Sequence, residues 1–304
     1  MTVLIQQIIT GVFTGSLYGL FALTMVFIWR SSRALNFGQG EMATFTTFLF
    51  WAFILHVPYA IGLLLVLPIA FIIGAVLERG FMRQLEGKAH LNALLVTLGF
   101  FLIFNSIDVS IWGSNPRLFS APFTGTPFDV WGVKIPRYQL YVFCVTISLT
   151  VVLYMLFQYT KLGLAMRATA LNKSAAELSG ISTSSMLMLG WGLAAAMGAV
   201  VGVLIAPIAI LTPDMSFNLL LLGFTAGVLG GMDSPGGVIV GGMLLGVGQN
   251  LIGTYMDDWV EFLNLPFEIT SPNSYRNILA IILIVLVLQI RPTGLFGRVE
   301  RERA

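Results

Sequence analysis

Apolar residues gather in nine long stretches, at about 6–29, 37–55, 59–78, 91–111, 139–158, 184–206, 216–232, 236–256 and 276–290, joined by shorter polar connections. A hydrocarbon core about 30 Å thick is crossed by around 20 apolar residues rising 1.5 Å each. Backbone groups that face lipid must be satisfied within their own segment, so these stretches are expected to be helices. The seventh is short enough to be a re-entrant segment, and eight to ten crossings fit the pattern. The fold class this predicts is all-α, a polytopic integral-membrane helical bundle, with residues 1–304 as one transmembrane domain.

Composition agrees. Of 304 residues, 57% are hydrophobic and 10% charged, against roughly a quarter charged in a soluble domain. A water-soluble globule is excluded. The net charge of +2 cannot build the concentrated basic face that nucleic acid requires. The first charged residue is Arg30. A basic n-region is therefore missing, the leading apolar run is too long for a signal h-region, and it is expected to be a retained span.

Orientation follows from Lys and Arg, which are in excess on cytoplasmic loops near span ends. With nine spans, Arg30, Arg33, Arg79, Arg83, Lys88, Lys161, Arg167, Lys173, Arg291, Arg298, Arg301 and Arg303 fall on one side; Arg117, Lys134, Arg137 and Arg276 fall on the other. This split of 12 against 4 predicts a cytoplasmic carboxyl terminus and an external amino terminus. The external connections 112–138 and 257–275 then carry Trp112, Trp131, Trp259, Tyr138 and Tyr275, as suits segments lying against headgroups.

Several chemistries are missing. Gly87-Lys88-Ala89 lacks both the upstream glycine and the hydroxyl of a P-loop. His56 and His90 have no ligand pattern around them, and the single Cys144 excludes an intramolecular disulfide or a cysteine-based metal site. No motif sets a nucleophile beside a base, which argues against an intramembrane enzyme. An ion-coupled carrier would want paired intramembrane carboxylates or helices broken in both halves.

Three features remain. Glycines recur as Gly223-x-x-x-Gly227, Gly230-Gly231, Gly236-Gly237, Gly241-Gly242, Gly246 and Gly248. They suit either close helix packing or backbone lining a pore, with Gly230–Gly237 read as a turn. The second feature is Asn36-Phe37-Gly38-Gln39-Gly40-Glu41, at the start of the second span. A carboxylate at mid-membrane costs about 2.5–3.5 kcal/mol on insertion scales and usually faces a cavity or a partner. At a helix amino terminus it gains about 0.3–1 kcal/mol from the dipole, and both readings of Glu41 stand. Other in-span polar residues are Asn105, Asp108, Asn218, Thr225, Gln249 and Asn250. The third feature is the connection 159–183. There Ala165, Ala168, Leu171, Ala175 and Leu178 recur every three or four residues, predicting a short amphipathic helix ended by Gly180. Such a helix either lies on the membrane or docks into a partner's groove.

At these residues the sequence resembles the permease subunits of branched-chain amino-acid ABC importers. The resemblance rests on Leu35-Asn36-Phe37-x-x-Gly40-Glu41, Gly163-x-x-x-Arg167-Ala168, Ala175-Ala176-x-x-x-Gly180-Ile181, Val228-Leu229-Gly230-Gly231 and Arg291-Pro292-Thr293-Gly294-Leu295-Phe296-Gly297. Their order and spacing cover nearly the whole chain. Two departures stand out: Gly38-Gln39 replaces the family's usual Ala-His, and Ser174 replaces an acidic residue with no Leu-Pro following. The resemblance implies a permease in a bacterial-type cytoplasmic membrane that pairs with a second related permease. It also implies two ATPases that hold ATP and Mg, and an extracytoplasmic binding protein that delivers the solute; this chain would carry no cofactor. The candidate translocation-path residues, taken from the glycine-relaxed cluster and the in-span polar residues, are Asn36, Gln39, Glu41, Asn105, Thr225 and Gln249. Arg167, Ala175, Ala176, Glu177 and Gly180 would couple to an ATPase. The solute would be a branched-chain or other amino acid, with urea, short amides, small organic or aromatic acids, or a ribose-type sugar as alternatives.

Overall fold

The structure is a computed structural model that describes residues 2–262 and 272–297, apart from 33, 86, 120, 124, 131 and 292. Each of the nine apolar stretches forms a helix: α1 (Thr2–Ser32), α2 (Gln39–Ile54), α3 (Tyr59–Gly80), α4 (His90–Trp112), α5 (Arg137–Tyr159), α8 (Thr183–Ala209), α9 (Met215–Gly230), α10 (Pro235–Phe262) and α11 (Pro272–Ile290). Between α5 and α8 lie α6 (Lys161–Leu171) and α7 (Lys173–Leu178). Among the described residues, six helices are long and apolar enough to cross a membrane, while Met215–Gly230 and Asn277–Ile290 are shorter apolar helices. The protein is an all-α, multi-pass membrane protein. The connection 112–138 adds one element that apolar patterning does not signal, an antiparallel hairpin of β1 (Phe128–Val130) and β2 (Val133–Ile135). The connection expected over 257–275 is shorter than anticipated, because α10 continues through Phe262 and α11 starts at Pro272. Arg33, Arg298, Arg301 and Arg303, which entered the charge count, and Trp131, expected against the headgroups, lie outside the described residues.

The chain divides into two compact units. The first comprises Met1–Leu23, Phe123–Ser148 and Leu221–Ala304. Its centre is a seam where α1 and α10 meet backbone to backbone. A Cβ on Gly11 would lie 2.5 Å from Val247 Cα, one on Gly15 2.7 Å from Met243 Cα, and one on Gly19 2.8 Å from Ile239 Cα. Small residues let helix backbones come this close, and in lipid such van der Waals packing replaces the hydrophobic drive. The Arg291–Gly297 motif folds back onto the α9–α10 turn. The Leu295 amide donates to Leu229 O at 2.9 Å and the Phe296 amide to Gly230 O at 3.2 Å. Gly231, at φ +96°, lies against Gly294 and Gly297, where a side chain has no room. Two motifs far apart in sequence are therefore one clasp. At the other end of this unit, Gln6 exchanges two 2.8 Å hydrogen bonds with the backbone of Lys134 in β2.

The second unit comprises Thr24–Pro122 and Leu149–Leu220. Here α8 packs on α2 and α3, with Trp191, Phe48 and Phe50 fully buried. Glycines again set the approach. Cβ atoms on Gly192, Gly198 and Gly202 would meet the Phe71 ring, Gln39 Nε2 and Ala43 O, each at 2.7 Å.

Candidate functional site

The connection after α1 does not stay at the end of the bundle. Thr97 Oγ1 donates to Leu35 O at 3.4 Å, and a Cβ on Gly38 would touch Phe100 and Thr97 near the middle of α4. Gln39 Nε2 donates to Ala194 O at 2.9 Å, near the middle of α8. α2 therefore begins inside the unit. Asn36 makes this start possible: its Oδ1 accepts the Gly38 amide at 3.0 Å, its carbonyl accepts the Gln39 amide at 3.2 Å, and its Nδ2 donates to Gln39 Oε1 at 3.2 Å. These bonds turn the chain into α2, and both Asn36 and Gln39 are fully buried.

The first residues of α9 lie beside that start. A Cβ on Gly40 would stand 3.2 Å from Ser216, and Thr44 Oγ1 donates to Ser216 Oγ. α2 and α9 have 16 residues each, so each is about 24 Å long at 1.5 Å per residue, short of the 30 Å core. An interrupted backbone at membrane depth is tolerated where it is buried in protein or lines a cavity. Here it is buried in protein.

Glu41 occupies the first turn of α2 and is fully buried. Its Oε2 lies 3.5 Å from Asn105 Nδ2, which also reaches Pro213 O and Asp214 Oδ1 at 3.4 Å. Its Oε1 has no hydrogen-bond partner. The two sequence readings of this carboxylate therefore describe one place, a helix amino terminus that is itself deep in the unit. Asp108, one turn beyond Asn105 on α4, is also fully buried, and neither of its carboxylate oxygens has a partner. It lies within electrostatic reach of Glu41. Sequence reading passed over Asp108 as one in-span polar residue among several. The signal available was its three-residue spacing from Asn105, which puts both on one helix face.

Of the six residues expected on a path, Asn36, Gln39, Glu41 and Asn105 come together in this second unit. Thr225 and Gln249 belong to the first unit. Thr225 Oγ1 donates to Leu221 O of its own helix, and both side chains are buried.

The 159–183 connection folds into two helices where one was expected. Asn172 leaves helical geometry at φ −154°, ψ 104°, and its side chain accepts the Ala175 amide at 3.0 Å, capping α7. Ser179 and Gly180 close α7: the Gly180 amide donates to Glu177 O at 2.9 Å and the Ile181 amide to Ala176 O at 3.0 Å, with Gly180 at φ +80°. This is the double-bonded helix end in which glycine avoids the penalty of a Cβ at positive φ. Arg167 is turned toward the end of α5, donating to Gln158 Oε1 at 3.2 Å, and Glu177 accepts from Thr183 Oγ1 at 2.6 Å. Ala175 and Ala176, both expected to couple to an ATPase, differ in exposure. Ala175 is exposed, whereas Ala176 is buried against its own chain. The most exposed large apolar residues of the segment are Leu171, at 78%, and Leu178, at 90%.

Known proteins were compared with this chain. Residues 7–288 match the family described as Branched-chain amino acid transport system / permease component. The chain is 28% identical to the high-affinity branched-chain amino acid transport system permease protein LivH of Escherichia coli strain K12, over 98% of this chain and 97% of that one. The high-affinity branched-chain amino acid transport system permease protein BraD of Pseudomonas aeruginosa is also 28% identical, with the same shares covered. A probable branched-chain amino acid transport permease protein LivH of Methanocaldococcus jannaschii is 26% identical over 91% of this chain and 88% of that one. With a bundle of apolar helices and a family match spanning nearly all of it, the chain belongs to the permease components of the branched-chain amino acid transport family, and is a transport subunit of an ABC importer, not an enzyme.

Proposed function

We propose that this permease imports a branched-chain or other amino acid delivered by an extracytoplasmic binding protein. The observation that carries the reading is end-to-end similarity to relatives whose names state that substrate class. Three buried polar residues at an interrupted helix, Asn36, Gln39 and Glu41, with the half-buried Asn105 beside them, support a translocation route through the second unit, and Thr225 and Gln249 are assigned to the same route. A second related permease completes the pore. Two ATPases hold ATP and Mg and drive it from the cytoplasmic side, and the 159–183 segment docks on one of them through α7. The experiment is purification of the native complex followed by reconstitution with its binding protein. Stoichiometric ATPase chains and ATP-driven uptake of L-leucine support the reading. A lone homo-oligomer, or uptake of urea or a sugar in place of amino acids, overturns it.

The same reading puts the carboxyl terminus and the α6–α7 segment in the cytoplasm and the amino terminus outside, from the 12 to 4 division of Lys and Arg. Leu171, 78% exposed, and Leu118, 91% exposed, are accessible reporters. Cys144 is exposed and must first be replaced by serine. In intact cells an impermeant maleimide is expected to label Leu118→Cys and spare Leu171→Cys. Labelling of Leu171→Cys alone would reverse the topology.

A further inference from the structure

The second unit buries two carboxyl groups within electrostatic reach of each other, and among the described residues neither makes an ion pair. Glu41 and Asp108 both have 0% exposed side chains. Glu41 Oε1, Asp108 Oδ1 and Asp108 Oδ2 accept no hydrogen bond. Asn105 donates to Glu41 Oε2, Pro213 O and Asp214 Oδ1, all at 3.4–3.5 Å. Buried charges in proteins are normally paired, since an uncompensated one is costly. Structural packing does not account for Asp108, because it holds nothing through its oxygens. Among the described residues, no group of three or more histidine, cysteine or acidic side chains converges closely enough to hold a metal ion.

We propose that Glu41 and Asp108 form a binding site for a primary ammonium group, the cationic end of the transported solute. A primary ammonium presents three N–H donors and no acceptor, which matches the three orphan oxygens in number and polarity. Charge-assisted bonds of this kind are about twice as strong as neutral ones. The neighbouring starts of α2 and α9 put the pair where the helices are interrupted, so small movements of these two short helices open or close it without breaking a long span. This assignment rests on the amino-acid reading above, and goes beyond it by naming the solute group recognised in the membrane and adding Asp108 to the machinery.

Two measurements test it in the assembled complex. In proteoliposomes with saturating loaded binding protein, Asp108→Asn and Glu41→Gln are each expected to lower L-leucine uptake by about tenfold or more, the scale of one lost charge-assisted bond. Complex yield and binding-protein-stimulated ATP hydrolysis should stay within about twofold of wild type, a separation that loss of structure does not produce. The second measurement needs no transport and no binding protein: dicyclohexylcarbodiimide adducts at Glu41 and Asp108 are followed by mass spectrometry. L-leucine and 3-methylbutylamine should each slow adduct formation, and 4-methylpentanoate, which lacks the amine, should not. Wild-type uptake of L-leucine unchanged in both variants overturns the site and leaves the amino-acid reading standing. Amine protection without wild-type leucine uptake overturns that reading and keeps the site. Absence of protection, or equal protection by 4-methylpentanoate, overturns the ammonium assignment.

Discussion

A Gly15→Leu permease is expected to be recovered in complex at about one-tenth of the wild-type amount or less. The reason is what the new side chain would meet. Its Cβ alone would sit 2.7 Å from Met243 Cα, and the obstacle is backbone, which has no rotamer to move. Overpacking a core that can rearrange costs typically about 1–3 kcal/mol. At the α1–α10 seam the helices must part instead, and the contacts that Gly11 and Gly19 make one turn to either side are lost with them. The comparison variant is Gly99→Leu. A Cβ at Gly99 has nothing within 4 Å, and surface substitutions of this kind stay within about 0.5 kcal/mol. Fluorescence-detected size exclusion of the tagged complex measures both. Equal recovery of the two variants would show that the seam does not hold the first unit together.

The second large effect is expected at the outward end of α7. Leu178→Asp should reduce binding-protein-stimulated ATP hydrolysis at least about tenfold while the permease still accumulates and inserts. Leu178 is 90% exposed and Leu171 78%, so neither supports its own chain, and an aspartate there meets water in the isolated subunit. Against an ATPase groove it would bury a charge without a partner, an outcome that costs several kcal/mol. Gly180→Val should fail for a different reason. At φ +80° a β-branched residue is strained, the two closing bonds to Glu177 and Ala176 weaken, and α7 loses the end that fixes its direction. Ala176→Trp separates the cases further. Since Ala176 is buried, with 4% exposure, tryptophan there should lower the amount of folded permease as well as its coupling. Stimulated ATPase activity in proteoliposomes, normalised to permease content, measures all three. Near-normal stimulation in Leu178→Asp and Gly180→Val would remove this segment from coupling.

The positions of the helices were determined by the sequence alone, because the length of an apolar run and the need to satisfy backbone groups in lipid are local properties. Each of the nine stretches therefore became a helix with ends shifted by a few residues. Local chemistry also determined the Gly180 terminus and the Gly230–Gly237 turn. Which face of each helix packs was decided only by the tertiary structure. In lipid, apolar positions serve equally on the outside and the inside, so hydrophobic periodicity does not say which side of α1 meets α10, or that Gly11, Gly15 and Gly19 form its seam. The 159–183 segment shows the same limit. The stripe of Ala165, Ala168, Leu171, Ala175 and Leu178 suggested the docked face, yet Gly163, Met166, Thr169 and Ala176 are the residues buried. Asn172 breaks the helix between the halves and turns the second away from the first register. The depth of the polar cluster was likewise a tertiary outcome. Asn36 to Glu41 read as the start of a span, but where that start sits depends on Gln39 reaching Ala194 and Gly40 reaching Ser216, residues more than 150 positions away. Packing of the α2 start on α4 likewise brought Asp108 within reach of Glu41 and left both carboxylates buried with oxygens unpaired.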